Sequence, residues 1–268
     1  MCPAALVRGG RTAFEACKLK VGRTVRTTTI SDLVAANRIL AHHRILDAYG
    51  HVSARNPDDP DTFYLSRSLS AGQVGEDDIM RFDLKGHAVD DDGRPPYLER
   101  FIHAAIYAAR PDAHCVLHAH TEEILPFTIT SEPFQAVVRG ASAIGTHVPR
   151  WDIRTRFGDG TNLLVSTIEQ GNDLAETLGD HSMVLMRGHG FASCGPSILK
   201  TVSTAVSLPR NARVLLAARQ MTGPIVALSE SEMAAVSGAV GRDLGPDSPA
   251  ARRGWNLWLA EVGLGVAE

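Results

Sequence analysis

The chemistry in this chain gathers on a few histidines. "DAHCVLHAH" ends a continuous apolar run on His118 and His120, and "MVLMRGHG" ends another on His189, held between two glycines. Side chains at i and i+2 of a strand share a face, so His118 and His120 project together. Neutral imidazoles held that way can share one divalent ion. The glycines flanking His189 let the backbone turn sharply and present the ring at a strand end, where sites in α/β proteins collect. Three histidine ligands leave a coordination position open, as in a catalytic site, whereas a structural zinc site closes all four. "ERFIHAAIY" adds Glu99 and His103, which stand i, i+4 on one helix face and could pair with each other. This helix runs through "RPD" into the His118–His120 strand, so its beginning can reach back to the same place. Glu99 can then serve there as a further ligand or as the proton carrier. His103, between Ile102 and Ile106, reads as a core histidine.

The elements that must position these residues alternate along the chain. "TISDLVAANRILAHHRILDAYG" has helical spacing, with Ser31 as its expected N-cap and Gly50 past its end. "HVSAR", "TFYLS" and "DIMRFDL" read as short strands, followed by a "KG" turn and "HAVD" as a return strand. "YLERFIHAAIYAAR" is a helix stopped by Pro111, and "AHCVLHAH" is a strand. "EQGNDLAETLGD" is helical and "SMVLMRGHG" a strand. The stretch from Pro196 to Gly223 is a long helix interrupted near Pro209, and helical pieces around 229–240 and 248–260 follow. Trp255 and Trp258 share one face of the last piece, a packing surface. Residues 1–28 carry basic residues without an apolar face and read as a mobile N-terminal extension. One α/β domain over 29–268 accounts for the rest.

Bulk properties narrow the function. With 268 residues the chain can bury a sizeable core, and 44% hydrophobic with 21% charged residues is ordinary for a globular protein. A net charge of −3 offers no footprint for nucleic acid or an anionic membrane. No apolar run reaches the ~18 residues a bilayer span requires. The four cysteines lack a CxxC pair, which fits free thiols in the cytoplasm better than a disulfide framework. Cys115 and Cys194 read as buried thiols.

The order Glu99-x3-His103, "ARPDAHCVLHAH" and the "GHG" turn resembles the class II aldolase/adducin family over roughly residues 30–220. The resemblance implies a three-layer α/β/α sandwich around a mainly antiparallel sheet. It implies one divalent metal per subunit on His118, His120 and His189, with Glu99 as acid/base. It further implies a homotetramer with active sites at subunit interfaces. Ligand types alone do not choose among zinc, manganese, iron and cobalt; zinc or manganese is the expectation.

The chain departs from sugar-phosphate members where they hold phosphate. Gly50-His51 stands at the Gly-Asn turn, "LSRSLS" at the Thr/Gly loop, and Tyr97-Leu98 where two serines precede the glutamate. Trading two hydroxyl donors for apolar side chains is a poor exchange for a phosphate dianion. An aromatic acid gains from it: Tyr97 and Leu98 offer apolar contact and Arg67 a bidentate grip on a carboxylate. His51 can bind substrate or move a proton. Arg150, Arg154 and Arg156 read as structural or interface residues. These departures resemble the branch of hydroxy-methylpyridine-dicarboxylate and dihydroxyphthalate decarboxylases. The expected function is metal-dependent decarboxylation of a hydroxylated aromatic or heteroaromatic acid. The alternatives are a sugar-phosphate aldolase or epimerase, a non-haem Fe(II) oxygenase, and a metal-free binding module like the adducin head.

Overall fold

The computed structural model describes residues 13–90, 93–243 and 249–265, without the side chains of 13–27, 239–243 and 249–251. The chain order is α1 (Ala13–His42), β1 (His51–Arg55), β2 (Thr62–Ser66), β3 (Ile79–Asp83), α2 (Arg100–Ala109), β4 (Cys115–Ala119) and α3 (Leu125–Ile129). It continues through β5 (Arg150–Trp151), α4 (Arg154–Phe157), α5 (Ile168–Leu178), β6 (Met183–Met186), β7 (Gly190–Gly195), α6 (Ile198–Arg219), α7 (Glu230–Asp243) and α8 (Pro249–Glu261). The strands form one seven-stranded sheet in the order β3-β2-β1-β4-β7-β6-β5. Among the described residues only β5 and β6 pair in parallel.

Both faces of the sheet are covered, which explains why β1, β2, β4 and β6 are buried at every position rather than alternating. Successive side chains go to opposite cores. Cys115, Leu117 and Ala119 of β4 join Leu33 and Ile39 of α1 and Val202 and Leu208 of α6. Val116 packs instead with Ile102 and Ile106 of α2 and Leu174 of α5. The result is the expected α/β/α sandwich.

Two helices on the second face pack unusually close. A Cβ at Gly171 of α5 would lie 2.5 Å from the Phe101 carbonyl oxygen of α2. Gly171→Ala must therefore push α5 away from the helix whose start carries Glu99. The expected cost is about 1–3 kcal/mol of stability, read as a lower urea midpoint at unchanged slope.

Some local expectations change. Ser31 is not an N-cap: α1 continues through it, and its hydroxyl donates to the Thr28 carbonyl. A helix that does not begin at Ser31 has no orphan amides there for it to cap. The helix ends at His42, short of Gly50, and the chain reverses at Arg44 with φ 57°. Asp47 then accepts from the amides of Tyr49 and Gly50 at 2.9 and 2.8 Å. The "HAVD" strand reduces to a single bridge, Phe82 to Ala88. Pro209 does not interrupt α6, because burial of Leu208, Ala212 and Leu215 holds the helix across the one hydrogen bond proline removes. Trp255 packs in the first core with Trp258 against it. The start of the expected N-terminal extension, residues 1–12, lies outside the described residues.

Candidate metal centre

Antiparallel register assembles the site. His51 of β1 lies opposite His118 of β4, and Ala119 of β4 lies opposite Phe191 of β7. The end of β4 and the start of β7 are thus side by side, which brings His118 and His120 against His189. The two glycines have different tasks. Gly188 adopts φ 65°, a left-handed turn that side chains disfavour. A Cβ at Gly190 would lie 2.2 Å from the Ala119 carbonyl oxygen and 3.0 Å from His120 Cδ2. Arg55 ties down the link from α2 to β4, its guanidinium donating to the carbonyls of Tyr107, Arg110 and Ala113 at 2.7, 2.9 and 2.9 Å.

Glu99, His118, His120 and His189 each offer a ligand atom, all within 4.8 Å of one another. Glu99 Oε2 stands 3.5 Å from His118 Nε2 and 3.6 Å from His189 Nε2. Its other oxygen accepts the Val165 amide at 3.0 Å. The tautomers follow from the outer partners. His118 Nδ1 donates to the Phe191 carbonyl at 3.0 Å, and His120 Nδ1 donates to the Asp47 carboxylate at 3.1 Å. As neutral rings they leave two Nε2 lone pairs facing each other 3.0 Å apart. With no proton to share, such a pair is repulsive unless a cation lies between, so the donor set fits a divalent ion. Asp47 is a partner that sequence reasoning missed. It sits in the outer position where carboxylates orient metal-binding histidines.

Electrostatics favour ligand-ready forms. Burial lowers His120 below its usual value, with the His118 ring adding to the effect. Burial takes His189 down to about 4, the His118 and His120 rings helping and Glu99 opposing. His51 is lowered well below its ordinary range by burial and then by the neighbouring imidazoles. Burial, reinforced by His118 and opposed by Glu99, brings His103 to about 3. Burial alone would raise Glu99, but His118, His189 and the Val165 amide more than compensate and bring it to about 2.

These shifts share one sign. Between pH 6.5 and about 4 the unfolded chain binds protons that the folded His103 and His189 refuse, so acid favours unfolding. Glu99 adds a loss in the same direction from 4.5 down to about 2. The metal-free protein is expected to lose thermal stability steadily as pH falls through that window and to be flat around neutrality. A metal-loaded sample is expected to release its ion over the same range, because protons compete for the ligands. Melting temperature and metal retention measured against pH test both.

A cavity of about 570 Å³ opens beside the cluster, lined by His51, Tyr97, Leu98, Glu99, His120 and His189 among others. Tyr97 turns its hydroxyl to the Leu69 carbonyl and its ring to His51, with centroids 4.4 Å apart. Arg67 does not line the cavity. Its Nε donates to Asp78 at 2.7 Å, so the expected grip on a substrate carboxylate loses out to a nearby partner. Glu99 and His103 do not pair: Glu99 faces His118 and His189, and His103 faces His51. Arg150 donates to the Phe127 carbonyl, Arg154 pairs with Asp152 and Arg156 with Asp173. Burial raises the Cys115 and Cys194 thiols to about 12 and about 11, which leaves them unreactive.

Comparison with known proteins agrees with this geometry. The decarboxylase tropJ of Talaromyces stipitatus is 32% identical over 258 residues, covering 88% of this chain and 94% of that protein. A 3,4-dihydroxyphthalate decarboxylase of Arthrobacter keyseri is 26% identical over 212 residues, covering 75% and 83%. Among solved structures, the L-fuculose 1-phosphate aldolase of Glaciozyma antarctica superposes with a TM-score of 0.72 at 20% identity, covering 92% and 94%. Residues 31–216 match the class II aldolase and adducin N-terminal domain, and the chain belongs to that family.

Proposed function

We propose that this chain is a metal-dependent lyase that decarboxylates a hydroxylated aromatic or heteroaromatic acid. The observation that carries the reading is the composition of the cavity wall. Tyr97 and Leu98 flank the His/Glu cluster, and no lysine or arginine of the described residues lines the cavity. A phosphate dianion would lack charged donors there, while an aromatic ring finds apolar surface. The decarboxylase relatives support the same choice.

His118, His120, His189 and Glu99 would hold the ion, zinc or manganese by expectation. When bound, it supplies Lewis acidity for the negative charge that develops on a substrate oxygen. The chain does the rest. Tyr97 packs against the ring plane, and Glu99 or His51 carries a proton to or from the substrate. The reading includes a homotetramer acting in the cytoplasm. Among the described residues no helix is long and apolar enough to cross a membrane.

One observation favours a second reading. Ser68 and Ser70 also line the cavity and offer hydroxyl donors, as a sugar-phosphate aldolase would need. A panel of ortho-hydroxy aromatic acids separates the two. The decarboxylase reading predicts CO2 release that a chelator abolishes and zinc or manganese restores. Dihydroxyacetone phosphate formed from a sugar phosphate, with no CO2 from any acid, would contradict it. Oxygen uptake dependent on Fe(II) would instead indicate an oxygenase.

A further inference from the structure

Behind the cavity wall lies a chain of hydrogen bonds that the metal cluster does not use. His51 Nδ1 meets His103 Nε2 at 2.7 Å, and His103 Nδ1 meets Ser53 Oγ at 2.6 Å. Ser53 Oγ also contacts the Tyr107 hydroxyl at 2.9 Å and the Val116 carbonyl at 3.5 Å. Ser53 and His103 are 0% exposed, His51 and Tyr107 1%, so the chain must satisfy itself without bulk water.

A single arrangement of protons uses all four contacts. The Val116 carbonyl can only accept, so the Ser53 proton points to it. Ser53 Oγ then receives from Tyr107 and from His103 Nδ1. Neutral His103 has no second N–H, so its Nε2 accepts from His51 Nδ1. His51 is thereby held as the Nδ1–H tautomer. Its remaining nitrogen, Nε2, keeps a lone pair for the cavity that the residue lines. Glu99, by contrast, has one oxygen on the Val165 amide and the other among the metal ligands.

We propose that Ser53, His103 and Tyr107 are positioning residues that fix this tautomer, and that His51 Nε2 shuttles the substrate's own hydroxyl proton to the ring carbon. The proposal rests on the decarboxylase reading. In the step, the substrate O–H bond breaks and its proton bonds to Nε2. That proton then passes to the carbon bearing the carboxylate, so the ring becomes a β-keto carboxylate and His51 is neutral again. The C–C bond breaks, neutral CO2 leaves, and the bonding pair returns to the ring oxygen as a phenolate. No proton enters or leaves, and the single negative charge moves from carboxylate to phenolate. The buried chain keeps Nε2 free to accept at the start and stabilises the transient imidazolium through its Nδ1–H.

The test uses the zinc-loaded full chain with 15N-labelled histidine. Wild type is expected to show His51 protonated at Nδ1 and bare at Nε2, and Ser53→Ala to show both tautomers. On the best acid of the panel, Ser53→Ala should lower kcat by roughly 10- to 100-fold, with KM and metal content unchanged. Tyr107→Phe keeps the ring packing and should show a smaller loss of the same kind. Wild-type His51 protonated at Nε2, or a Ser53→Ala enzyme with unaltered kcat, would overturn the proposal. If wild type releases no CO2 from any acid, the decarboxylase reading fails and the shuttle with it, while the nitrogen shifts still decide the tautomer.

Discussion

His120→Ala is expected to give a folded protein that has lost its metal and nearly all activity. His120 follows β4, outside the strand ladder, and its side chain is part-exposed, so truncation leaves the sheet register intact. It removes one of three imidazoles and leaves Asp47 with only the Tyr49 and Gly50 amides. Losing an outer partner of a metal ligand costs ~10–100-fold in affinity, so losing the ligand itself must cost more. Lewis-acid stabilisation worth several kcal/mol disappears with the ion, which corresponds to about 10³-fold or more in kcat/KM. Asp47→Asn isolates the outer contribution and should fall within the ~10–100-fold range. Metal stoichiometry and steady-state kinetics on the two variants check the ranking. Equal losses in both would mean that His120 does not contact the ion.

Glu99→Gln is the second large effect. The amide is nearly isosteric, and its oxygen can still accept the Val165 amide, so folding should survive. The change removes the one negative charge in the cluster, a charge the wild-type carboxyl keeps because its neighbours hold it at about 2. A neutral amide is a weaker ligand than a carboxylate and cannot accept a proton. The expected loss in kcat is at least about 10²-fold. Raising the metal concentration should recover only the part due to weaker binding. Full recovery with excess zinc would confine Glu99 to a ligand's role.

The parts of this site legible in the sequence were those encoded locally. His118-x-His120 needed only the strand repeat, and the glycines around His189 announced a turn. Their two separate reasons, the left-handed Gly188 and the close approach of Gly190 to Ala119, emerge only when β7 is laid beside β4. The alternation of strands and helices sufficed for one α/β domain, while the sandwich was what the family resemblance implied. Contacts that depend on register were hidden. Ser53 of β1 bonds to His103 and Tyr107 of α2, and nothing in "HVSAR" marks its serine as part of a buried chain. Asp47 was hidden inside a segment of helical spacing, yet the reversal at Arg44 swings it onto His120. Arg67, expected as a substrate ligand, lies outside the cavity lining and pairs with Asp78 instead. Asp78, eleven positions on, competes for its guanidinium through a bend the sequence does not reveal. Residue type and spacing thus singled out the histidines that the fold brings together with Glu99, while strand pairing chose their supports.

The most direct measurement is the metal content of the purified chain after equilibration with zinc or manganese and removal of the excess. The structure predicts one divalent ion per chain, retained at neutral pH and absent from His120→Ala. A folded wild-type protein that takes up no ion, its secondary structure intact by circular dichroism, would contradict the account.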